Sequence, residues 1–598
     1  MTLWLDLETY SATDLKAAGV YKYVEDPGFE ILMCGWTRNG EDYYLAVGED
    51  EILQIPGLFT ETIVAHNANF ERVCLSVLEG VRYQDPERYI DTAAIAVANG
   101  LPRSLNALAA ALGVEAKDSA GTRLINLFSK PYRGRRVTPE EMPEKWGEFE
   151  AYCLQDVKVL YQCHRAMEDF RTTTEKVLFY VDQRINDRGI KVDTHLARLA
   201  VTQADVNTAR QREEVTLLTG VQNPGSVQQL LTWFEEDGYP LPDMTKETVA
   251  EHLGRTGCPI RDRVLELRQD LALAANKKYV SALNMACRDD RVRGTLAYHG
   301  AHTGRWSGRG VQLQNLPALS FTDDEGEWDG EAEHTALDTL FAGGEVDATT
   351  LKKLVRPMFS GPFTVADYSA IEARVLAWLA GEAWALQAFR EGRDLYVETA
   401  RRLGPRYTRK HGKVAVLALG YQGAVNSLRV MGAEGDDDEL VTLVKAWRKT
   451  NKHIVRLWYR TEESFWEGGR VGQYTRVEVH GKDRHLILPS RRRLIYRDVR
   501  QSREGQLSFK DPRGFRQDTY GGRLVENVTQ ATARDLLAEA LILLEDHGLP
   551  VVAHVHDEVI VETAETWEVV KLMTAVPRWA SGLPLNADAF TTERYRKG

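Results

Sequence analysis

One stretch limits what this chain can fold into more than any other: Val551-Val552-Ala553-His554-Val555-His556-Asp557-Glu558-Val559-Ile560-Val561. An apolar run leads into His-Asp-Glu and resumes directly after it. That pattern predicts two strands of a tight hairpin with an acidic tip. A carboxylate pair on a rigid hairpin is a good mount for a divalent metal, although most acidic hairpin tips are only solvated turns. A second carboxylate segment lies far upstream, Thr364-Val365-Ala366-Asp367-Tyr368-Ser369-Ala370-Ile371-Glu372-Ala373-Arg374. There a strand over 364–366 delivers Asp367, and a helix follows over 369–380. Between the two mounts the sequence predicts a cationic helix from Arg409 to Tyr421. Its Arg409, Lys413, Leu417 and Tyr421 recur every four residues and so share one face. The first turns put Arg409 and Lys413 near the positive end of the helix dipole, which suits a triphosphate. Leu417 and Tyr421 suit a sugar and a base. Taken alone, such a stripe is more often a surface ion-pair face. Two carboxylate mounts with a cationic helix between them are the parts needed for nucleotidyl transfer by two metal ions.

The 598 residues are too many for one ordinary core, so three or four domains are expected. Hydrophobic residues at 43% and charged residues at 27% fit a globular protein. No apolar run is long enough to cross a bilayer, so no membrane partner is expected. Acid at Asp6 and the lack of a basic start argue against a signal peptide. The six cysteines form no C-x-x-C pair, and read as reduced thiols of a cytoplasmic protein. A formal net charge of -12 argues against a nucleic-acid partner only if charge is evenly spread. Acid gathers over 323–333 and 434–439, and base over 130–136, 406–413 and 491–500. A local basic groove can bind phosphates on a globally acidic protein.

Residues 1 to about 165 read as an α/β unit, with strands at 3–7, 31–36 and 62–65 and helices at 104–112 and 149–167. The chain is then mostly helical to about 286, apart from loops at 223–226 and 239–244. Residues 320–350 read as an acidic insertion or flexible loop. The amino-terminal unit carries its own acids. Asp6-x-Glu8 closes the first strand, and residues i and i+2 on a strand share a face, so both reach one metal. His66-Asn67-Ala68-Asn69-Phe70-Glu71 follows the third strand and opens a helix. Tyr152 and Asp156 stand one helical turn apart.

In that order the amino-terminal motifs resemble the DEDD-Y class of 3′→5′ exonucleases. The resemblance implies two Mg²⁺ held by Asp6, Glu8, Glu71 and Asp156, with Tyr152 orienting the attacking water. Glu71 stands where the class more often has Asp. The rest resembles the family A DNA polymerases, the bacterial DNA polymerase I class. Asp-Tyr-Ser-x-Ile-Glu-x-Arg, Arg-x-x-x-Lys-x₇-Tyr and His-Asp-Glu look like its motifs A, B and C. Thr303-Gly304-Arg305-Trp306-Ser307 with Gln312-Leu313-Gln314-Asn315-Leu316-Pro317 is similar to its primer-template motif, and Gln530-Ala531-Thr532-Ala533-Arg534-Asp535 to its Q-x-T-A-x-D helix. The compact length looks more like phage or prophage replicative enzymes.

The resemblance implies a multidomain α/β fold, a ribonuclease H-like exonuclease domain followed by a right-hand polymerase. The exonuclease would span 1–165, a helical thumb and the start of the palm 166–295, and the palm with the primer-template motif and motif A 296–390. Fingers would span 391–468, and palm with motif C 469–598. It places Asp367, Asp557 and Glu558 at the transfer site, with two Mg²⁺ on Asp367 and Asp557; Mn²⁺ can substitute. Arg409, Lys413, Leu417, Tyr421, Glu372 and His556 would surround the dNTP, Glu372 blocking a ribose 2′-OH. Thr303, Arg305, Gln312, Gln314, Asn315 and Gln530 would grip primer-template DNA. Other replication proteins are further candidate partners. Two departures stand out: Leu417 replaces an aromatic residue, and Gly420 loosens the helix by about 1 kcal/mol relative to Ala. The competing readings are a nuclease with a nucleic-acid-binding region, a single-subunit RNA polymerase, and a non-catalytic adaptor. Intact acid sets argue against the first and third, and Glu372 against the second.

Overall fold

The computed structural model describes residues 2–114, 121–272, 275–323 and 326–597. Met1 and residues 115–120 of the amino-terminal reading, residues 273–274 of the helical stretch, Asp324 and Glu325 of the acidic stretch, and the last residue, 598, lie outside the described residues.

The amino-terminal sheet has the order β3-β2-β1-β4-β5. Its strands are β1 (Thr2–Tyr10), β2 (Glu30–Thr37), β3 (Tyr43–Val47), β4 (Thr62–Ala65) and β5 (Tyr89–Asp91). β1 is antiparallel to β2 and parallel to β4. Alternation along β1 sends Leu3, Leu5 and Leu7 into a core with Ile63, Cys74 and Leu75. The opposite face carries Trp4, Asp6 and Glu8 and is covered by the long helix Pro143–Ala166. The Trp4 indole donates to His164 Nδ1 at 3.0 Å across that junction. Gly35 lies directly opposite Asp6 on β2. A Cβ there would come within 2.9 Å of Val157 and 3.2 Å of the Cys153 carbonyl, so the bare backbone is what lets the helix approach the acids.

Apart from the short strand Ile190–Lys191, the described residues of 173–285 are mostly helical, broken by loops at both places the sequence predicts. Val215, Leu230, Phe234, Val249, Val264 and Leu265 form a small core of their own. The first helix, Thr173–Arg188, instead packs on the buried helix Gly521–Asp546. Of the two readings of 320–350, an insertion or a flexible loop, the flexible loop is overturned, since helices occupy Gly330–Phe341 and Ala348–Lys353. The Asp329 carboxylate caps the first by accepting from Ala332 N at 2.9 Å. Ala336, Leu337 and Leu340 bury its inner face. Acids on the outer positions masked that apolar stripe.

A four-stranded antiparallel sheet holds the two carboxylate segments in the order Val551–Val555, Glu558–Val561, Ser360–Tyr368, Ala587–Arg594. A separate six-stranded antiparallel sheet runs from Gly469 to Thr519. It touches the amino-terminal unit, where the Arg497 guanidinium donates to the Asn99 carbonyl at 2.8 Å. All six cysteines are unpaired, five of them buried. Among the described residues no helix is long and apolar enough to cross a membrane.

Candidate active sites

At the amino-terminal site, β1 delivers Asp6 and Glu8, and the Pro143–Ala166 helix delivers Tyr152 and Asp156. One ligand oxygen from each of Asp6, Glu8 and Asp156 lies within 4.8 Å of the others. Hard carboxylate oxygens at that spacing suit a divalent cation. Glu71 enters from the first turn of the helix Asn69–Glu79. It is 3% exposed, and its Oε2 has no hydrogen-bond partner. Burial, then the charge of Asp6, pushes the Glu71 carboxyl well above the usual range. It therefore faces the acids without belonging to the three that converge. Burial, then Asp156, likewise raises the Tyr152 phenol, so the ring stays protonated. His66 bonds Thr92 at 2.9 Å and the Arg103 carbonyl at 2.7 Å, which fixes the loop leading to Glu71. These side chains open onto a cleft of about 490 Å³ that Lys130 also lines. In the sequence Lys130 belongs to the basic cluster over 130–136, with no local signal that it lines this cleft.

At the second site, strand register sets the geometry. Asp367 lies opposite Glu558 on one side and Asp588 on the other. The hairpin forms as predicted, but its tip differs. Asp557 sits in the turn, whereas Glu558 is already in the strand and 6% exposed. Tyr595 Oη donates to Glu558 Oε1 at 2.7 Å. With Asp557 in the turn and Glu558 drawn into the protein against Tyr595, the two acids do not form one exposed pair. Burial, then the charge of Asp557, lifts Asp367 to about 6. Burial also lifts Asp557, and it lifts Glu558 to about 7. Asp367 Oδ1 is buried with no hydrogen-bond partner. An orphaned carboxylate oxygen beside a second carboxylate is what a divalent ion would satisfy. His556 occupies the hairpin turn at φ 56°.

The cationic helix is shorter than its spacing predicts, Arg409–Leu419. Thr408 and His411 form a capping box at its start. At its end the Gly420 carbonyl accepts from the Trp458 indole at 2.8 Å, and Tyr421 lies in the following turn. Tyr421 Oη nonetheless donates to Glu372 Oε2 at 3.1 Å, and Glu372 Oε1 pairs with Arg305 at 2.6 Å. Lys413 and Leu417 are exposed on the helix. Arg409 is tied to Asp394 at 2.7 Å. Behind Leu417 is a cavity of about 140 Å³ that Glu372, Leu376, Trp384 and Tyr421 also line.

Of the remaining predicted residues, Gln314 reaches the hairpin. Gln314 Nε2 reaches the His554 carbonyl at 3.5 Å, and Asn315 donates to Gln312 at 3.0 Å. Thr303 is buried, and its carbonyl accepts from Arg492 at 2.8 Å. Gln530 is half-buried and donates to Glu526 at 3.3 Å. Sequence reasoning missed Asp588 and Tyr595. Neither stands in a motif, and only strand register brings them to the acids.

The description "DNA polymerase family A" matches residues 195–430. A DNA polymerase of Bacillus phage SP02 is 38% identical over 662 aligned residues, covering 100% of each chain. The thermostable DNA polymerase I of Thermus thermophilus is 25% identical over 65% of this chain and only 43% of its own length. Among solved structures, the POL domain of Pol1 from M. smegmatis, in complex with DNA primer-template and dNTP, has a TM-score of 0.61. It is 17% identical, with 98% of this chain and 95% of that one covered, so the likeness is one of fold. The chain belongs to the family A DNA polymerases.

Proposed function

We propose that this family A polymerase extends a primer 3′ end at Asp367 and Asp557 and shortens one at Asp6, Glu8, Glu71 and Asp156. The synthesis half is supported by the orphaned Asp367 oxygen beside Asp557, within a chain of this family. The exonuclease half rests on three carboxylates whose ligand atoms lie within 4.8 Å. Both donor sets fit Mg²⁺, two ions at each site, or Mn²⁺. When bound, such ions activate the attacking hydroxyl or water and neutralise charge on the phosphate.

The protein's own groups supply position. Lys413, one turn into its helix, meets the triphosphate, with Arg409 at the positive end of the same helix. Glu372, held by Arg305 and Tyr421, crowds a 2′-OH and so selects deoxyribose. Leu417 and His556 complete the nucleotide surround. Thr303, Arg305, Gln312, Gln314, Asn315 and Gln530 grip primer-template DNA. Tyr152, kept protonated, orients the water at the exonuclease site. Residues 1–165 would then be the exonuclease domain, ribonuclease H-like in fold. Residues 166–295 would be the thumb and start of the palm, 296–390 and 469–598 palm, and 391–468 fingers. The setting is phage or prophage DNA replication in the host cytoplasm, alongside other replication proteins.

A labelled primer-template incubated with Mg²⁺ tests both halves at once. Added dNTPs should lengthen the primer, and their omission should shorten it. No shortening at any Mg²⁺ or Mn²⁺ level would remove the exonuclease half and leave synthesis standing.

A further inference from the structure

Directly beneath Thr303–Arg305 lie four charged side chains from three distant segments, none more than 5% exposed: Glu175, Arg492, Arg534 and Asp535. Arg534 Nε donates to the Gly304 carbonyl at 2.9 Å. The same guanidinium pairs through both terminal nitrogens with Glu175, which also accepts from Tyr298 Oη at 2.6 Å. Arg492 donates to the neighbouring Thr303 carbonyl at 2.8 Å and to Asp535 at 2.7 Å. Gly304 has φ +89°, and a Cβ on it would lie 2.6 Å from Arg492 Nη1, so the loop rests directly on that guanidinium. Burial opposes ionisation of Glu175, yet Arg534 and Arg492 hold it at about 2.

Buried charges are costly to desolvate, and such pairs are weak evidence for stability. What this set supplies is direction. Two adjacent carbonyls of one loop are each held by a guanidinium that is itself fixed by a buried acid. The next residue, Arg305, reaches Glu372, and Glu372 accepts from Tyr421. The Q-x-T-A-x-D pattern leaves position 534 unspecified, so motif matching passes over it. We infer that Glu175, Arg492 and Arg534 are positioning residues that fix the Thr303–Gly304 backbone and thereby aim Arg305 at primer-template DNA. The inference rests on the reading that this loop grips DNA.

The experiment compares full-length variants by the KM for primer-template, kcat at saturating DNA, and thermal unfolding. Arg534→Lys keeps a cation for Glu175 but lacks the planar fork that serves the acid and the carbonyl together. It should raise the KM for DNA about tenfold, the loss of one charge-assisted hydrogen bond, and change kcat no more than about twofold. The pair Glu175→Met with Arg534→Met replaces the ions by apolar groups of similar length. It should fold and show the same rise in KM, and it decides the matter if the Lys variant does not fold. An unchanged KM with a lowered unfolding temperature makes the pair scaffold only and overturns the inference. Arg305→Ala tests the underlying reading separately. If that variant leaves the KM for DNA unchanged, the loop is not a DNA grip, whatever the Arg534 variants do.

Discussion

In the amino-terminal unit, three carboxylates from one strand and one helix converge within 4.8 Å. In the four-stranded sheet, Asp367 and Asp557 come from segments 190 residues apart, and Lys413, Leu417 and Glu372, assigned to the nucleotide, stand on other elements. The first site is complete within one compact unit. The second is shared among a sheet, a helix and the Arg305 loop, tied together by single contacts such as Arg305–Glu372 and Tyr421–Glu372. A site built within one unit is set by that unit's own packing. A site shared among several is set by how they dock, and it offers more places where a substitution changes specificity without removing chemistry.

The strongest way to break this comparison is to remove one acid set at a time. Asp367→Asn or Asp557→Asn should lower primer extension about a thousandfold or more, several kcal/mol of transition-state stabilisation, and leave primer shortening nearly intact. Asp6→Ala combined with Glu8→Ala should do the reverse. Loss of both activities in one folded variant would show the sites to be interdependent.

A smaller effect is expected on the cationic helix. Lys413→Ala should weaken dNTP use about ten- to a hundredfold, the worth of one or two charge-assisted hydrogen bonds. Arg409→Ala should cost less, because its guanidinium already pairs with Asp394. Single-turnover incorporation at subsaturating dNTP ranks the two, and the opposite order would mean that Arg409 leaves Asp394 for the phosphates.

Acidity probes the shared site through Asp367, which burial and Asp557 raise to about 6. A carboxyl whose pKa is raised in the folded state is protonated below that value, so Mg²⁺ must displace a proton there and need not above it. The Mg²⁺ concentration giving half-maximal extension should rise about tenfold per pH unit below about 6 and level off above it. A flat Mg²⁺ requirement between about pH 5 and about pH 7 would exclude this role for Asp367.

The smallest effect concerns Leu417. A tyrosine there has the cavity of about 140 Å³ behind it to occupy, and its hydroxyl supplies a polar partner that leucine lacks. Leu417→Tyr should raise the ddNTP/dNTP incorporation ratio several-fold, about 1 kcal/mol. A uniform loss of rate at an unchanged ratio would indicate overpacking instead.

Much of this was legible in the chain. The strand bearing Asp6 and Glu8, the hairpin after Val551 and the strand ending near Asp367 all follow from runs of apolar residues and their alternation. Three expectations needed correction. The helix from Arg409 stops at Leu419, and a distant indole, Trp458, satisfies the orphan Gly420 carbonyl at its end. Glu558 is a buried strand residue held by Tyr595, not half of an exposed tip. The acidic stretch over 320–350 contains helices whose apolar face is short and interrupted.

Local spacing is enough to nominate residues for chemistry and to name the element that carries each, because spacings of two and four act between near neighbours in the chain. Tertiary structure alone decided what each acid faces. Asp588 and Glu558 flank Asp367 through strand register, and Glu175 meets Arg534 across 359 positions of chain. Such pairs leave no local periodicity to read. They arise only when separate hydrophobic faces pack and carry the attached charges into contact.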